Sequence, residues 1–554
     1  GVRPILMSGS ESLKAELLPI LATGRELAAF ALTETGAGAN PQAIQSQAIS
    51  DGDGWRLRGE KIWSGSAAWA GVINVFVKHE SGISGFVVRR GTPGLRQGAE
   101  ALTMGMRGMV QNTVYLEDIP VTSAELLGDV GAGMNVAQDA MMYGRLAIAA
   151  ACVGGMQRCV QLMWRYSGRR QIATGKLLDH PVVLYRLQEL TNAITAVNSL
   201  VMRVGKLLDQ GNTVPAEVYT ACKISAPEFY WQAADLLVQT LGGRGYIESN
   251  IAPQILRDAR ILRIFEGPTE TLCGFLGARV LKQGQTLQNF LCQTLGAVEV
   301  GQKLADAVEQ ISDRLYNDSN IKFQRWIYHQ LGQLTTEAIL WAVLDDQSAI
   351  AWVKNRFNQQ LQQILTFNPD NLLYLNSQSL ENHLHQYTQS IGDIEQNLAG
   401  EDQQLDELLR QSGENSQTTA KTWDSHPQTE DFPTQNTSVS QISTWLKTWI
   451  AEKLHISTST IDTNKAFADY GIDSITAVEL TQDLQQWLNI SQPLDATIAW
   501  NFPTITALAN YLGEVTSKNP TPSDNNLDNL STIDIAQLLS QEIAIARDRK
   551  PQNK

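Results

Sequence analysis

Two short stretches carry groups able to do chemistry on an acyl chain. In Gly471-Ile472-Asp473-Ser474-Ile475 a serine stands on a turn at the mouth of a helix. In Arg263-Ile264-Phe265-Glu266-Gly267-Pro268 a glutamate closes a helix-like run before a Gly-Pro break. A serine at a helix N-terminus places a phosphodiester on its Oγ against free N–H groups and the positive end of the dipole. A carboxylate shielded from water has its pKa raised toward working pH and becomes a better base. The pair reads as a tether for an acyl group and a base that takes a proton from it.

Several elements must position these groups, because 554 residues exceed one compact core and two to four domains are expected. Residues 1–25 hold a short helical pattern from Leu13 to Leu21. Residues 26–128 change period: 55–59, 72–77, 85–88 and 114–116 are strand-like, with turns at Asp51-Gly52-Asp53-Gly54 and Thr92-Pro93-Gly94. That is a small β domain. Residues 129–285 are helical and rich in Ala, Leu and Val, and 286–410 stay helical but turn polar and Gln-rich. Residues 411–438 hold almost nothing apolar and read as a linker. A helical period returns over 439–515, with Ile442, Leu446, Trp449 and Ile450 on one face. Residues 516–554 are a polar tail with a short amphipathic, docking-like helix around Ile535–Ile543. The expected fold is multidomain and mainly α.

Composition narrows the function classes. A net charge of −14 argues against a nucleic-acid partner. The five cysteines form no CxxC pair and read as buried thiols in a reducing cytoplasm. The histidines show no metal spacing; His383 and His385 read as solvated surface. No uninterrupted run of about 18 apolar residues predicts a membrane span. The first residues, Gly1-Val2-Arg3-Pro4, lack the apolar region of a signal peptide. The chain lacks an initiator methionine, as a piece of something longer would.

Four segments in order make residues 1–285 resemble the acyl-CoA dehydrogenase family. The first is Thr33-Glu34-Thr35-Gly36-Ala37-Gly38-Ala39-Asn40, similar to T-E-P-G-A-G-S-D. The second is Gly59-Glu60-Lys61-Ile62-Trp63-Ser64-Gly65-Ser66, similar to a strand whose Trp lies against the flavin. The third is Arg169-Arg170 ahead of Ala173-Thr174-Gly175, similar to a segment that reaches the FAD of a neighbouring subunit. The fourth joins Gln239-Thr240-Leu241-Gly242-Gly243-Arg244-Gly245-Tyr246, Arg257-Asp258-Ala259-Arg260 and Phe265-Glu266-Gly267. The resemblance implies FAD contacts at Thr33, Gly38, Ala39, Trp63, Ser64, Gly65, Arg170, Gln239, Gly242, Gly243 and Thr269. It implies Glu266 as catalytic base and Arg145 on the substrate side. Some members carry the base just before that arginine; here Gly144 occupies the place. Ala39 and Gly65 depart from the family's serine and threonine. Only the last helix of the family's N-terminal helical domain is expected in residues 1–25, and 286–410 could partly compensate.

Residues 439–515 resemble an acyl or peptidyl carrier protein, a four-helix domain. The resemblance rests on Phe467 through Leu480, then Phe502-Pro503-Thr504-Ile505 before Leu508-Ala509-Asn510-Tyr511-Leu512. It implies 4′-phosphopantetheine on Ser474, with Glu479 and Asp483 as an acidic docking face. Together the two resemblances imply an FAD enzyme that forms an α,β double bond in an acyl thioester, on its own carrier or on CoA. They imply polyketide or nonribosomal lipopeptide biosynthesis. The implied partners are a phosphopantetheinyl transferase, an electron-accepting flavoprotein, a downstream synthase module and further copies of the chain. Two rivals stand beside this: a carrier and docking module with an inactive dehydrogenase region, and an acyl-thioester oxidase or hydroxylase.

Overall fold

A computed structural model describes residues 1–80, 82–316, 321–369, 377–392, 438–454, 457–465, 467–470, 480–481, 483–485, 487–488 and 504–517. Ser474, Glu479, most of the linker and the docking-like tail helix lie outside these. The chain divides into two units, Gly1–Gly400 and Glu401–Lys554.

The first unit opens with two helices, α1 (Val2–Ser8) and α2 (Glu11–Ala22). Sequence reading expected one. The Ser10 hydroxyl caps α2 by accepting the Leu13 N–H at 3.2 Å. Eight strands follow: β1 (Ala28–Ala31), β2 (Gln47–Asp51), β3 (Gly54–Gly65), β4 (Val72–His79), β5 (Gly82–Arg89), β6 (Leu95–Glu100), β7 (Gln111–Val121) and β8 (Leu126–Leu127). Their order is β6-β7-β3-β2-β4-β5-β8, with β1 parallel to β4. β4 and β5 are buried along six consecutive residues because the sheet is covered on both faces. Ile73, Val75 and Val77 pack with Leu57, Val114 and Ile119 on one side; Val72 and Phe76 pack with Leu17 and Ile5 on the other.

The helical part begins with α3 (Gly133–Arg169), followed by α4 (Pro181–Asp209), α5 (Ala216–Leu241), α6 (Ile251–Ile261) and α7 (Thr269–Asn289). A Cβ on Gly133 would lie 2.6 Å from the Gly85 nitrogen, so glycine lets α3 start against the sheet. Helix α3 is long and apolar enough to cross a membrane, with a mean hydropathy of 1.3 over its most apolar window. Its Cys152, Met156, Cys159 and Met163 face a protein core shared with α4 and α5. Burial pushes the thiols of Cys152, Cys159, Cys222 and Cys273 up to about 12, which leaves them protonated and unreactive.

Helices α8 (Val298–Tyr316), α9 (Ile321–Ala342) and α10 (Gln347–Thr366) continue the same core. Helix α7 runs past residue 285 and meets α9 backbone to backbone. A Cβ on Gly277 would stand 1.9 Å from the Tyr328 carbonyl oxygen, and one on Gly332 2.0 Å from that of Cys273. The polar stretch after 285 is thereby built into the dehydrogenase unit.

The described part of the second unit has its own core. Ile442, Leu446 and Ile450 of the Val439–Leu454 helix pack with Leu480, Leu484 and Leu508. Trp449 lies at the edge of this core and donates its indole N–H to Asp483 at 2.7 Å. Asp483, expected to serve only a docking face, is thus also engaged within its own domain.

The helix crossing makes a prediction. Gly277→Ala should destabilise the protein by about 1–3 kcal/mol, the usual cost of overpacking. Gly274→Ala, where nothing lies within 4 Å of the new Cβ, should be neutral or stabilising. Thermal unfolding of both variants beside the parent checks this.

Candidate active site

Glu266 sits on the turn between α6 and α7. Sequence reading put it at the end of a helix-like run, but α6 stops at Ile261. Glu266 has φ 57° and Gly267 φ 103°, two left-handed residues in succession. That backbone costs a glutamate roughly 1–2 kcal/mol. The turn directs its side chain at α3, onto Gly144. A Cβ at 144 would be 3.1 Å from Oε1 and 3.3 Å from the carboxyl carbon. The two family positions for the base therefore converge in space, and the glycine leaves room for the glutamate.

The residue as a whole is half-buried, but its Oε2 reaches no solvent and has no hydrogen-bond partner among the described residues. Burial raises the Glu266 carboxyl above the ordinary range; Arg145 and Lys223 pull the other way. Arg145 donates through Nε to the Glu266 carbonyl at 3.3 Å and through Nη1 to the Thr220 hydroxyl at 3.4 Å. Lys223, wholly buried on α5, donates to the Gly267 carbonyl at 3.1 Å. Sequence reading missed Lys223, which looked like one polar residue in the apolar run Ala221-Cys222-Lys223-Ile224.

A second set of expected residues gathers at the sheet. Lys61 pairs with Val114 and Ser64 with Asn112, so β3 carries one extra residue between them. This bulge, with φ 55° at Trp63, turns the indole outward, 60% exposed. Ser64 is buried and its hydroxyl has no partner among the described residues. The Ile62 N–H donates to the Thr33 carbonyl at 2.8 Å, which ties the loop of Gly38 and Ala39 to this strand.

Below them lies an ion pair that sequence reading quoted but did not interpret. Lys61 is fully buried and donates to Glu34 at 2.6 Å and to the Leu32 carbonyl at 3.2 Å. Glu34 also accepts the Gln45 N–H at 2.5 Å and the Ser46 hydroxyl at 2.6 Å. Burial opposes the Glu34 charge, but Gln45, Lys61 and Ser46 outweigh it and hold the carboxyl below its usual range.

Arg170 lies elsewhere, in a cavity of about 650 Å³ with Arg165, Arg169, Arg244 and Leu241. Gly242, with φ 59°, ends α5 and opens the turn that carries Arg244. Gln239 and Gly243 are exposed there. Thr269 is buried at the start of α7, and its hydroxyl donates to Glu228 at 2.8 Å, with the Arg263 carbonyl at 3.5 Å.

The chemistry of these groups suits FAD. An open indole beside an unpartnered buried hydroxyl fits a polar-edged aromatic ring, and four guanidinium groups on one cavity fit phosphate.

Comparison with known proteins adds a second line. Residues 29–119 match the acyl-CoA dehydrogenase middle domain and 131–281 its C-terminal domain. A probable acyl-CoA dehydrogenase, YngJ of Bacillus subtilis (strain 168), is 31% identical over 288 residues, 51% of this chain and 76% of that protein. The chain belongs to the acyl-CoA dehydrogenase family. The very long-chain specific acyl-CoA dehydrogenase of Bos taurus is 28% identical over 380 residues, 65% of this chain and 58% of that protein. The chain thus spans a little over half the length of this relative. The solved acyl-CoA dehydrogenase of Geobacillus kaustophilus has 26% identity and a TM-score of 0.49, over 50% of this chain and 75% of that one. Residues 444–512 match a phosphopantetheine attachment site. The family is FAD-dependent and the attachment domain carries 4′-phosphopantetheine.

Two predictions follow from the electrostatics. Lys61→Met strands the Glu34 charge and should cost about 3–5 kcal/mol, whereas Glu34→Gln with Lys61→Met should cost less than the two single changes summed. Urea unfolding followed by tryptophan fluorescence measures both. For Glu266 the folded pKa lies above the unfolded one, whose ordinary value is 4.5. The unfolded chain loses that proton first as pH rises, so Glu266 subtracts stability from about pH 4.5 upward until the folded group ionises too. Glu266→Gln should therefore raise Tm more at pH 8 than at pH 4, and an equal change at both would refute the sign.

Proposed function

We propose that the chain removes the elements of H2 across the α and β carbons of an acyl thioester held on its own carrier domain. The observation that carries this reading is the Glu266 carboxylate, packed over Gly144 with one oxygen unpartnered, on a chain that also carries an attachment domain. The α-proton of a thioester is weakly acidic, so its removal needs a base kept from water. Glu266 takes that proton. Arg145, beside it, helps orient the substrate and balances the charge that develops. FAD, when bound, supplies the acceptor for the hydride that leaves the β carbon. Thr33, Gly38, Ala39, Trp63, Ser64, Gly65 and the 239–243 turn are assigned to holding it, with Arg170 assigned to the phosphates of the FAD of a neighbouring subunit.

Ser474 is assigned as the phosphopantetheine attachment residue, modified by a phosphopantetheinyl transferase. A chain that carries its own thioester fits polyketide or nonribosomal lipopeptide assembly, with a downstream synthase module and an electron-accepting flavoprotein as partners. Four free, buried thiols, with Cys292 half-buried against the expectation that all five are buried, suit a reducing compartment, the cytoplasm. Exposed Trp164, Tyr185 and Met202 on α3 and α4 support a homo-oligomer that covers them.

Intact mass spectrometry of the acyl-loaded protein tests the reaction. A loss of two mass units from the loaded chain is expected, absent in Glu266→Gln and retained in Glu299→Gln, an exposed control. A gain of oxygen instead would favour a hydroxylase. No change in the parent, with flavin bound and an acceptor supplied, would remove the proposal.

A further inference from the structure

The turn that carries Glu266 has an unusual support. Its two left-handed residues each present a carbonyl to a buried or half-buried cation: Glu266 to Arg145 Nε and Gly267 to Lys223 Nζ. The cations come from different helices, Arg145 from α3 and Lys223 from α5. An amine taken fully out of water on an apolar helix is costly unless it is paired. The Gly267 carbonyl is the hydrogen bond that the structure gives it, and a neutral carbonyl repays little of that cost. Stability alone therefore does not account for a lysine here. Hydrogen bonds at these carbonyls hold a backbone shape that the glutamate would otherwise leave.

We infer that Lys223 is a positioning residue for the base: with Arg145 it clamps the 266–267 turn so that the carboxylate stays over Gly144. The inference rests on Glu266 being the base. Lys223 acts through the turn and through its field, and takes no proton from the substrate.

The electrostatics around the clamp have a defined sign. Burial brings the Lys223 ammonium down to about 8; Arg145 pushes the same way, and Cys152, Glu266 and Glu228 oppose. Below about pH 8 the amine is charged and the clamp is complete. Above it, the charge is lost, the hydrogen bond weakens and the Glu266 carboxyl rises further. The side chains facing the pair are Arg145 and Cys152 from α3 and Glu228 from α5. Cys152, pushed to about 12, and Arg145 do not titrate near pH 8.

The test uses the full chain with FAD and acyl-loaded carrier, and follows the two-mass-unit loss against pH. The parent should lose rate above about pH 8. Lys223→Met should lower the single-turnover rate on the order of 10–100-fold, the scale for a misplaced reacting group. It should also move the acid limb of the profile to higher pH. Lys223→Arg keeps a charge that does not titrate in this range, so it should keep the acid limb in place and abolish the loss above pH 8. A Met variant with an unshifted profile, or an Arg variant that still declines above pH 8, overturns the inference. A second readout is independent of turnover. Amide hydrogen exchange over residues 262–268 should rise roughly tenfold in Lys223→Met and stay near the parent's in Lys223→Arg, while α5 exchanges as in the parent in both. If the parent does not dehydrogenate its acyl group, the assignment of the base fails by itself. Unchanged exchange at the turn is then what defeats the clamp.

Discussion

The dehydrogenase unit depends on keeping one carboxylate in a place where water does not help it. Glu266 reaches that place only through a left-handed turn, only because α3 offers a glycine beneath it, and only with cations on both neighbouring helices. Each condition belongs to a different element. The start of α3 is fixed against the sheet at Gly133, α5 carries Lys223 in the core, and α7 begins two residues beyond Gly267. A carboxylate at 144 would meet a different requirement, a straight helical backbone and no special turn. The chain instead pays backbone strain at 266 and spends no side chain at 144.

The β domain solves a related problem at lower risk. Its buried Glu34 and Lys61 neutralise one another, and four donors satisfy the carboxylate. Nothing there is left free to react, and the pair holds the Gly38 loop and the Trp63 bulge in register. The two carboxylates contrast in direction. Glu34, fully hydrogen-bonded, is held below its usual range; Glu266, with an unpartnered oxygen, is raised above it. One environment stabilises the carboxylate and the other raises its proton affinity, as the proposed base requires.

Much of this was legible in the residues. The period change at 26–128, the helical run after it and the second helical domain all follow from apolar spacing, because burial imposes that spacing. Glu266 was legible for a different reason: its neighbours form an ordered pattern, and Gly144 removed the competing position. Lys223 was invisible, since a single lysine in an apolar helix gives no sign of what its amine touches. The left-handed backbone at Glu266 and Trp63 was equally hidden, because neither residue type announces φ > 0 as glycine does. The hydrogen bond from the Thr269 hydroxyl to Glu228, 41 residues away, was hidden as well.

A base of this kind sets a condition on how substrate arrives. The carboxylate is raised by burial, so any water admitted with the substrate would lower its basicity just when it is needed. A tethered thioester eases the conflict. The composition of residues 411–438 reads as a linker, and coils of about that length span on the order of 30 Å and give effective concentrations in the millimolar range. On the proposed reading, a carrier on the same chain supplies the acyl group without calling for a wide, solvated entrance or a strong site for CoA, which suits a carboxylate raised by burial.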